Sequence, residues 1–433
     1  MSKTFISFVC LIALSAGLNA FPVVSQSEFR GDRILSGLIK EALENNPRLE
    51  VAFQRAQAAE KAIPQSGALP DPQLTLGLMN LPVNSFAFDQ EPMTGKLISL
   101  MQMFPFPGKL SLAEDMAESE AAAVRFQQKE IRNQVIEMVK RAYYDLYAID
   151  RALETVEKNK VLMAQFVQVA EVKYATGAGL QQDVLRAQVE LSKLEDDAIM
   201  WQQKRRAAAA RLNALLNRAP DSPFGVTPEE LGLPAEPLPD FSPEDIVEKR
   251  PLLRAWKEKM GKAAAAVELA RRDYWPNFTL GASYSQRDDL ATGMIMHDFF
   301  SVTVSLNIPL YHERKQGARV AEKTLDEAAV RAEYENARAG VLTEIETLKA
   351  DLERNRKRAE LYQGGILLQA RQSLESALAG YQVGKVDFLT LINNWMMVQN
   401  YELQHFFALA DYHKALAGYE LAAGGEIGER KKP

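Results

Sequence analysis

The chain of 433 residues is written twice. Laid over itself at an offset of 204 positions, Pro47 falls on Pro251 and Glu44 on Glu248. The same offset puts Pro72, Thr75, Leu76 and Gly77 on Pro276, Thr279, Leu280 and Gly281. It still holds at Pro105 with Pro309, Asp183 with Asp387, and Leu185 with Leu389. Self-similarity at a fixed offset marks a duplicated structural unit, so the fold must be assembled from two like halves. The halves are predicted at 21–219 and 242–425, joined by residues 220–241. Pro220, Pro223, Pro228, Pro234, Pro237, Pro239 and Pro243 crowd that join. Proline lacks the backbone donor and fixes φ, which excludes a regular helix or central strand and predicts a linker lying along the outside.

Each half repeats one order of elements. A helix is predicted near 32–62 and again near 242–273. Two strand-like stretches follow each, Gln73–Asn80 with Gly95–Phe104, and Asn277–Ser285 with Phe299–Ile308. Phe278, Leu280, Ala282 and Tyr284 alternate with Thr279, Gly281 and Ser283. Val302, Val304, Leu306 and Ile308 alternate with Ser301, Thr303, Ser305 and Asn307. Strands of about 8–10 residues with one apolar and one polar face suit a barrel wall in lipid.

After the strands no proline occurs between Pro107 and Pro220, or between Pro309 and Pro433. Both spans are rich in Ala, Glu, Gln, Lys, Arg and Leu, the strong helix formers. A glycine-containing break interrupts each, at Tyr174–Gly179 and at Tyr381–Val386. Each half is therefore predicted to carry a helix of about 65 residues, a tight turn and a return helix of about 35; at 1.5 Å per residue the longer reaches about 100 Å. No globular core needs such a helix. Ile136, Val139, Tyr143 and Leu146, then Met163, Val167, Ala170 and Tyr174, step by three and four, the seam of helices packed side by side.

Lys3, the apolar run from Phe5 to Leu14 and the small residues around Ser15–Gly17 and Ala20 predict a cleavable signal peptide at 1–20. The single cysteine, Cys10, falls inside it, behind Ser7-Phe8-Val9, which does not resemble a lipoprotein processing site. No stretch supplies the roughly 18 unbroken apolar residues of a spanning helix, so a membrane passage must use strands. A formal net charge of −6 argues against nucleic-acid binding. Residues 426–433 form a charged tail. Four strands cannot close a barrel, and an open edge in lipid leaves backbone groups without partners. Two copies would give eight strands and three would give twelve; small barrels fill with their own side chains while larger ones enclose a passage, which favours three.

The duplicated order, Ala42-Leu43-Glu44-Asn45-Asn46-Pro47, and Ala379-Gly380-Tyr381-Gln382-Val383-Gly384 resemble the TolC-type outer-membrane efflux ducts over nearly the whole mature chain. Leu69-Pro70-Asp71-Pro72 and Phe104-Pro105-Phe106-Pro107-Gly108-Lys109 are most similar to the heavy-metal branch, the cobalt-zinc-cadmium and copper-silver exporters. The resemblance implies a mainly α fold with a β-barrel portion, in which each chain gives long helical hairpins to an α-barrel and four transmembrane strands to a trimeric 12-stranded barrel. It also implies an exit duct in the outer membrane, extended into the periplasm, that docks a periplasmic adaptor and through it an inner-membrane pump of the resistance-nodulation-division type. Metal ions or small toxic compounds are the expected cargo; a type I protein-secretion duct is the alternative. The departures are a missing lipid-anchoring cysteine and a second turn that reads shorter, with two residues between Gly384 and Asp387 against five between Gly177 and Asp183.

A duct has no chemical step, so its candidate residues line the narrowest point. Gly177, Gly179 and Gly384 suit tight turns, and the tips with Tyr174 and Tyr381 are the expected adaptor-docking surface. Both tyrosines are expected to pack between helices. Asp183 and Asp387 either cap the return helices or face inward as a ring of carboxylates at the periplasmic aperture, with Lys385 beside them to hold it shut. Met294, Met296 and His297, with Met79 and Met93, read as apolar filler rather than a metal site, and His312, His405 and His413 lack ligand spacing. No glycine-rich phosphate loop or nucleophile elbow is present, so neither an enzyme nor a cofactor is expected.

Overall fold

The computed structural model describes residues 33–228, 231–234 and 241–425. The expected signal peptide with Cys10, the middle of the linker and the charged tail lie outside the described residues.

The first repeat begins with α1 (Arg33–Asn45) and α2 (Pro47–Ser66), and the second with α5 (Pro243–Lys249) and α6 (Pro251–Arg272). The helix expected near 32–62 is thus two helices, because proline disfavours helical geometry in the residue before it. Asn46 and Arg250 occupy that position with ψ of 120° and 115°. Each uses its side chain to hold the far end of its own repeat. Asn46 Nδ2 donates to Leu215 O at 2.7 Å, and the Arg250 guanidinium donates to Leu421 O while pairing with buried Glu130 at 2.8 Å.

Next come β1 (Gln73–Met79) with β2 (Gly95–Phe104), and β3 (Phe278–Gln286) with β4 (Phe299–Leu306). They form one antiparallel sheet in the order β1-β2-β3-β4, the central pairing joining the two repeats. Residues directly opposite in an antiparallel pair share a face. The register therefore lines Leu74, Leu100, Ala282 and Val302 across one face, followed by Leu76, Ile98, Tyr284 and Phe300. Across the other run Thr75, Ser99, Ser283 and Ser301. The apolar face is bare: Leu76 is 69% exposed and Phe300 70%. Among the described residues neither β1 nor β4 has a partner on its outer edge.

In the first repeat α3 (Lys109–Ala175) runs unbroken for 67 residues and returns as α4 (Gln181–Leu215). In the second, α7 (Ala318–Leu361) and α8 (Leu367–Gln382) return as α9 (Phe388–Ala422). This outgoing stretch is not the single α-helix expected, since π turns at Glu313–Gly317 and Tyr362–Ile366 interrupt it. A π turn spans five residues where an α turn spans four, so each takes up one extra residue. The stretch from Glu313 to Gln382 is three residues longer than α3, and the two π turns absorb two of them. Beyond the π turns the repeats therefore correspond at an offset of 207, not 204. Among the described residues no helix is long and apolar enough to cross a membrane.

The helices bury three main apolar clusters. One gathers α1, the middle of α3 and the end of α4 around Tyr143, Leu146 and Leu212. One, toward the tips, packs the two hairpins together through Met163, Phe166, Leu194, Phe388 and Trp395. The third joins α6, α7 and α9 through Leu253, Ile345 and Tyr419. In the predicted seam Ile136, Val139, Tyr143, Leu146, Met163 and Ala170 are buried, while Val167 is half-buried at its flank.

The described ends of the linker are bonded to this frame. Buried Asp150 of α3 accepts from Thr227 N and Oγ1, both at 2.9 Å, and pairs with Arg205 of α4 at 2.6 Å. Arg205 also donates to Gly225 O at 2.9 Å. On the second repeat His413 Nε2 donates to Gly232 O at 2.9 Å, and Arg356 donates to Pro234 O at 2.6 Å.

Candidate functional site

The two hairpin tips are one turn built twice. Each has five residues, 176–180 and 383–387, so the expectation of a shorter second turn is corrected. Gly177 and Gly384 sit at φ of 74° and 75°, the left-handed geometry that ends a helix cheaply only without a Cβ. The closing bonds match: Gly177 N to Tyr174 O and Ala178 N to Lys173 O, then Gly384 N to Tyr381 O and Lys385 N to Gly380 O. Each tip has a second glycine where the chain crosses itself, Gly179 within the first turn and Gly380 in the last turn of α8 before the second. A Cβ on Gly179 would stand 2.9 Å from Lys173 Cβ, and one on Gly380 would stand 2.5 Å from Val386 Cγ2.

Matching the turns at 207 separates the two aspartates. Asp387 is the N-cap of α9, its carboxylate accepting from Thr390 N at 2.7 Å. The bonds from the Thr390 side chain and backbone hold its carboxyl below the usual range. Its counterpart in the first turn is Leu180, an extended residue with no side chain to cap with. Asp183 lies three residues inside α4, in its first turn, so capping by Asp183 is also corrected. A negative charge there still suits the positive end of the helix.

Asp183 has another neighbour. Tyr381 is 4% exposed, its ring 5.4 Å from Phe388, and its hydroxyl is buried with no hydrogen-bond partner. Burial first, and then the charge of Asp183, push the Tyr381 phenol above its ordinary value. Lys173 of the other hairpin donates to Tyr381 O and places its ammonium 4.5 Å from the ring centroid. The structure thus gathers Lys173, Asp183, Tyr381 and Phe388 where the hairpins meet.

Tyr174 departs from its expected packing and is 49% exposed. At its tip the position matching Phe388 is Gln181, which offers no ring to pack against. Lys385 and Asp387 are exposed, and Lys385 makes no ion pair among the described residues. Lys173 was not anticipated, nor was the buried bond from Trp395 Nε1 to Asn159 Oδ1 at 2.7 Å. Met93 and Met294 are exposed in the loops at the far end of the sheet. Burial lowers the pKa of both His405 and His413, the latter to about 4.

Comparison with known proteins adds to this geometry. The family described as "Outer membrane efflux protein" matches residues 38–218 and 243–425. The cobalt-zinc-cadmium resistance protein CzcC of Cupriavidus metallidurans is 22% identical over 396 residues, 87% of this chain and 86% of its own. Among solved structures, the outer-membrane channel OprN superposes with a TM-score of 0.80 at 19% identity, covering 91% of each chain. CusC, whose structures concern folding and transmembrane channel formation, superposes with a TM-score of 0.78 at 19% identity, covering 92% of this chain and 93% of its own.

Proposed function

The chain belongs to the outer membrane efflux protein family, and from that premise we propose that three copies close a twelve-stranded barrel and carry solutes passively out of the cell. An outer-membrane exit duct with a periplasmic helical extension follows from the family. The trimer, the cargo and the partners are this reading's own. The observation that carries it is the open sheet, with β1 and β4 unpaired on their outer edges among the described residues, beneath a bare apolar face. Backbone donors and acceptors in hydrocarbon must be paired, and the smallest membrane barrels need about eight strands, so the sheet is completed by other copies.

The cargo we assign is metal ions or small toxic compounds, in keeping with the likeness to a cobalt-zinc-cadmium resistance protein. The hairpin tips, led by Tyr174, Gly177, Gly179, Tyr381 and Gly384, meet a periplasmic adaptor, which links the duct to an inner-membrane pump of the resistance-nodulation-division type. Asp183, Asp387 and Lys385 form the charged periplasmic aperture. Asp387 has one duty already, capping α9, and the charge of Asp183 helps to raise the Tyr381 phenol. The role is that of a conduit, with no reaction assigned.

Cysteines introduced at Thr75 on β1 and at Ser301, Thr303 or Ser305 on β4, one pair at a time, test the closure. Oxidation should give covalent trimers on denaturing gels. Cross-links confined within single chains would show a sheet that seals itself. Replacing Asp183 and Asp387 together by alanine should alter conductance and cation block in planar bilayers. Unchanged traces would leave Asp387 its capping duty alone. A deletion strain should lose resistance to cobalt, zinc or cadmium before it loses resistance to dyes.

A further inference from the structure

We infer that the helix-side end of the sheet binds the headgroups of anionic phospholipids, on a basic patch built where α6 ends and the first π turn begins. The inference rests on the barrel of the preceding subsection and adds to it a lipid site on the outer surface.

The bare apolar face sets the depth. On β4 its residues run from Phe300 through Leu306, and the alternation continues to exposed Ile308, about 27 Å along the strand. At a strand tilt of about 40° that is about 20 Å across the membrane, close to the apolar band of about 25 Å that a lipid barrel presents. Tyr311, 79% exposed and three residues further on, therefore stands at headgroup depth on the helix side. At the same level, just before β3, Trp275 is exposed, its ring stacked on Phe106 at 5.2 Å and its carbonyl accepting from Lys109 at 3.2 Å. Tryptophan and tyrosine gather at that depth because an apolar ring there carries a polar atom that needs water or a headgroup.

The charge beside these rings runs against that of the chain. The protein carries a formal −6, yet segments 268–275 and 311–319 hold five arginines and lysines against three carboxylates. At the loop end of the sheet the balance is reversed, since segments 80–96 and 286–298 hold two against five. The two basic segments form one surface. The Tyr274 ring lies 6.2 Å from His312, a Cβ on Gly317 would stand 3.3 Å from the Tyr274 hydroxyl, and Arg319 pairs with Asp273 at 3.4 Å. Asp273 also holds Lys109, and Glu268 holds Arg271. Arg314 and Lys315, in the π turn Glu313–Gly317, are exposed and make no ion pair among the described residues. A guanidinium and an ammonium side by side suit the oxygens of a phosphodiester. Each cation near an anionic membrane surface strengthens binding about fivefold.

The test melts the full-length protein in dodecyl maltoside, its oligomeric state checked first by cross-linking, with phosphatidylglycerol, phosphatidylcholine or inorganic phosphate added. Phosphatidylglycerol should raise the melting temperature about 4 °C or more above the same mole fraction of phosphatidylcholine, because it binds the folded state preferentially. The double variant R314Q/K315Q should melt as the native protein does without lipid and need about 25-fold more phosphatidylglycerol for the same shift. R271Q, a separate change on α6, should need about fivefold more, which keeps the test decisive if the double variant does not assemble. Equal shifts from the two lipids, undiminished shifts in both variants, or the full shift from inorganic phosphate alone would overturn the inference while the trimer stands. So would a double variant that is weakened without lipid and keeps its lipid shift, since its cations would then hold a neighbouring copy. A protein that is monomeric before lipid is added would bring down the barrel, and this inference with it.

Discussion

Acid should loosen the linker at His413. The ring is buried in α9, stacks on Tyr144 at 4.8 Å, meets Tyr412 edge-on at 5.5 Å, and donates Nε2–H to Gly232 O. A second proton would place a cation in that enclosure, with the Arg356 guanidinium already 5.6 Å from the Tyr412 ring. Burial, partly offset by the bond to Gly232, lowers its pKa from 6.5 to about 4. Between those values an opened state exposing the ring takes up a proton that the closed state refuses. Stability is therefore full above pH 6.5, falls as pH drops toward 4, and changes no further below. One pKa unit is worth 1.36 kcal/mol, so the complete loss is about 3 kcal/mol, of which about 2 kcal/mol has gone between pH 7 and pH 5. That corresponds to about 30-fold in the opening equilibrium. Hydrogen exchange of the 231–234 segment, corrected for intrinsic rates, should lose protection by that factor in the native protein. In His413→Gln, which keeps a donor for Gly232 O but does not titrate, protection should hold steady. An equal loss in the variant, or none in the native protein, would refute the reasoning.

Asp150→Asn should cost about 3–5 kcal/mol by leaving Arg205 without its buried partner, read as a lowered melting temperature of the detergent-solubilised protein. Gly384→Ala forces a Cβ into left-handed geometry at about 1–2 kcal/mol, while space around it is free, so the second tip should gain exchange or protease sensitivity with the trimer intact. On β4, Val302→Arg faces lipid and should cost about 2–4 kcal/mol and reduce outer-membrane yield, whereas neighbouring Ser301→Arg should assemble normally.

Elements with one strong periodicity were legible in advance. Val302, Val304 and Leu306 announce their strand because side chains alternate, and Ile136 to Leu146 announce their seam because helical faces recur every three to four residues. The tips were legible through Gly177 and Gly384, since little else tolerates that backbone. The clamp on the linker left a fainter trace. Asp150 sits four residues after Leu146, the next seam position, where a charge breaks the apolar step and is buried nonetheless. A polar residue on an apolar seam signals a buried partner, but only the fold reveals that Arg205 and Thr227 supply it. The meeting of Lys173, Asp183 and Tyr381 was hidden for the same reason, since contacts between hairpins follow no local period.

The exchange of partners between the aspartates carries a broader consequence. Identity at an offset of 204 paired Asp183 with Asp387, yet the helices pair Asp387 with Leu180, because the outgoing stretch of the second repeat is three residues longer, two of them taken up in π turns. A duplicated hairpin can therefore keep both tips alike in backbone although identities elsewhere in the repeat run at another offset. Here a residue difference at matched positions, Phe388 against Gln181, gives Tyr381 a ring and denies one to Tyr174, so one tip closes over its tyrosine and the other presents it to solvent. Two tips of one backbone and unlike surfaces are what a duct needs if one hairpin is to seal an aperture while its twin receives a partner. The residues at matched positions, on a shared backbone, are the source of that difference.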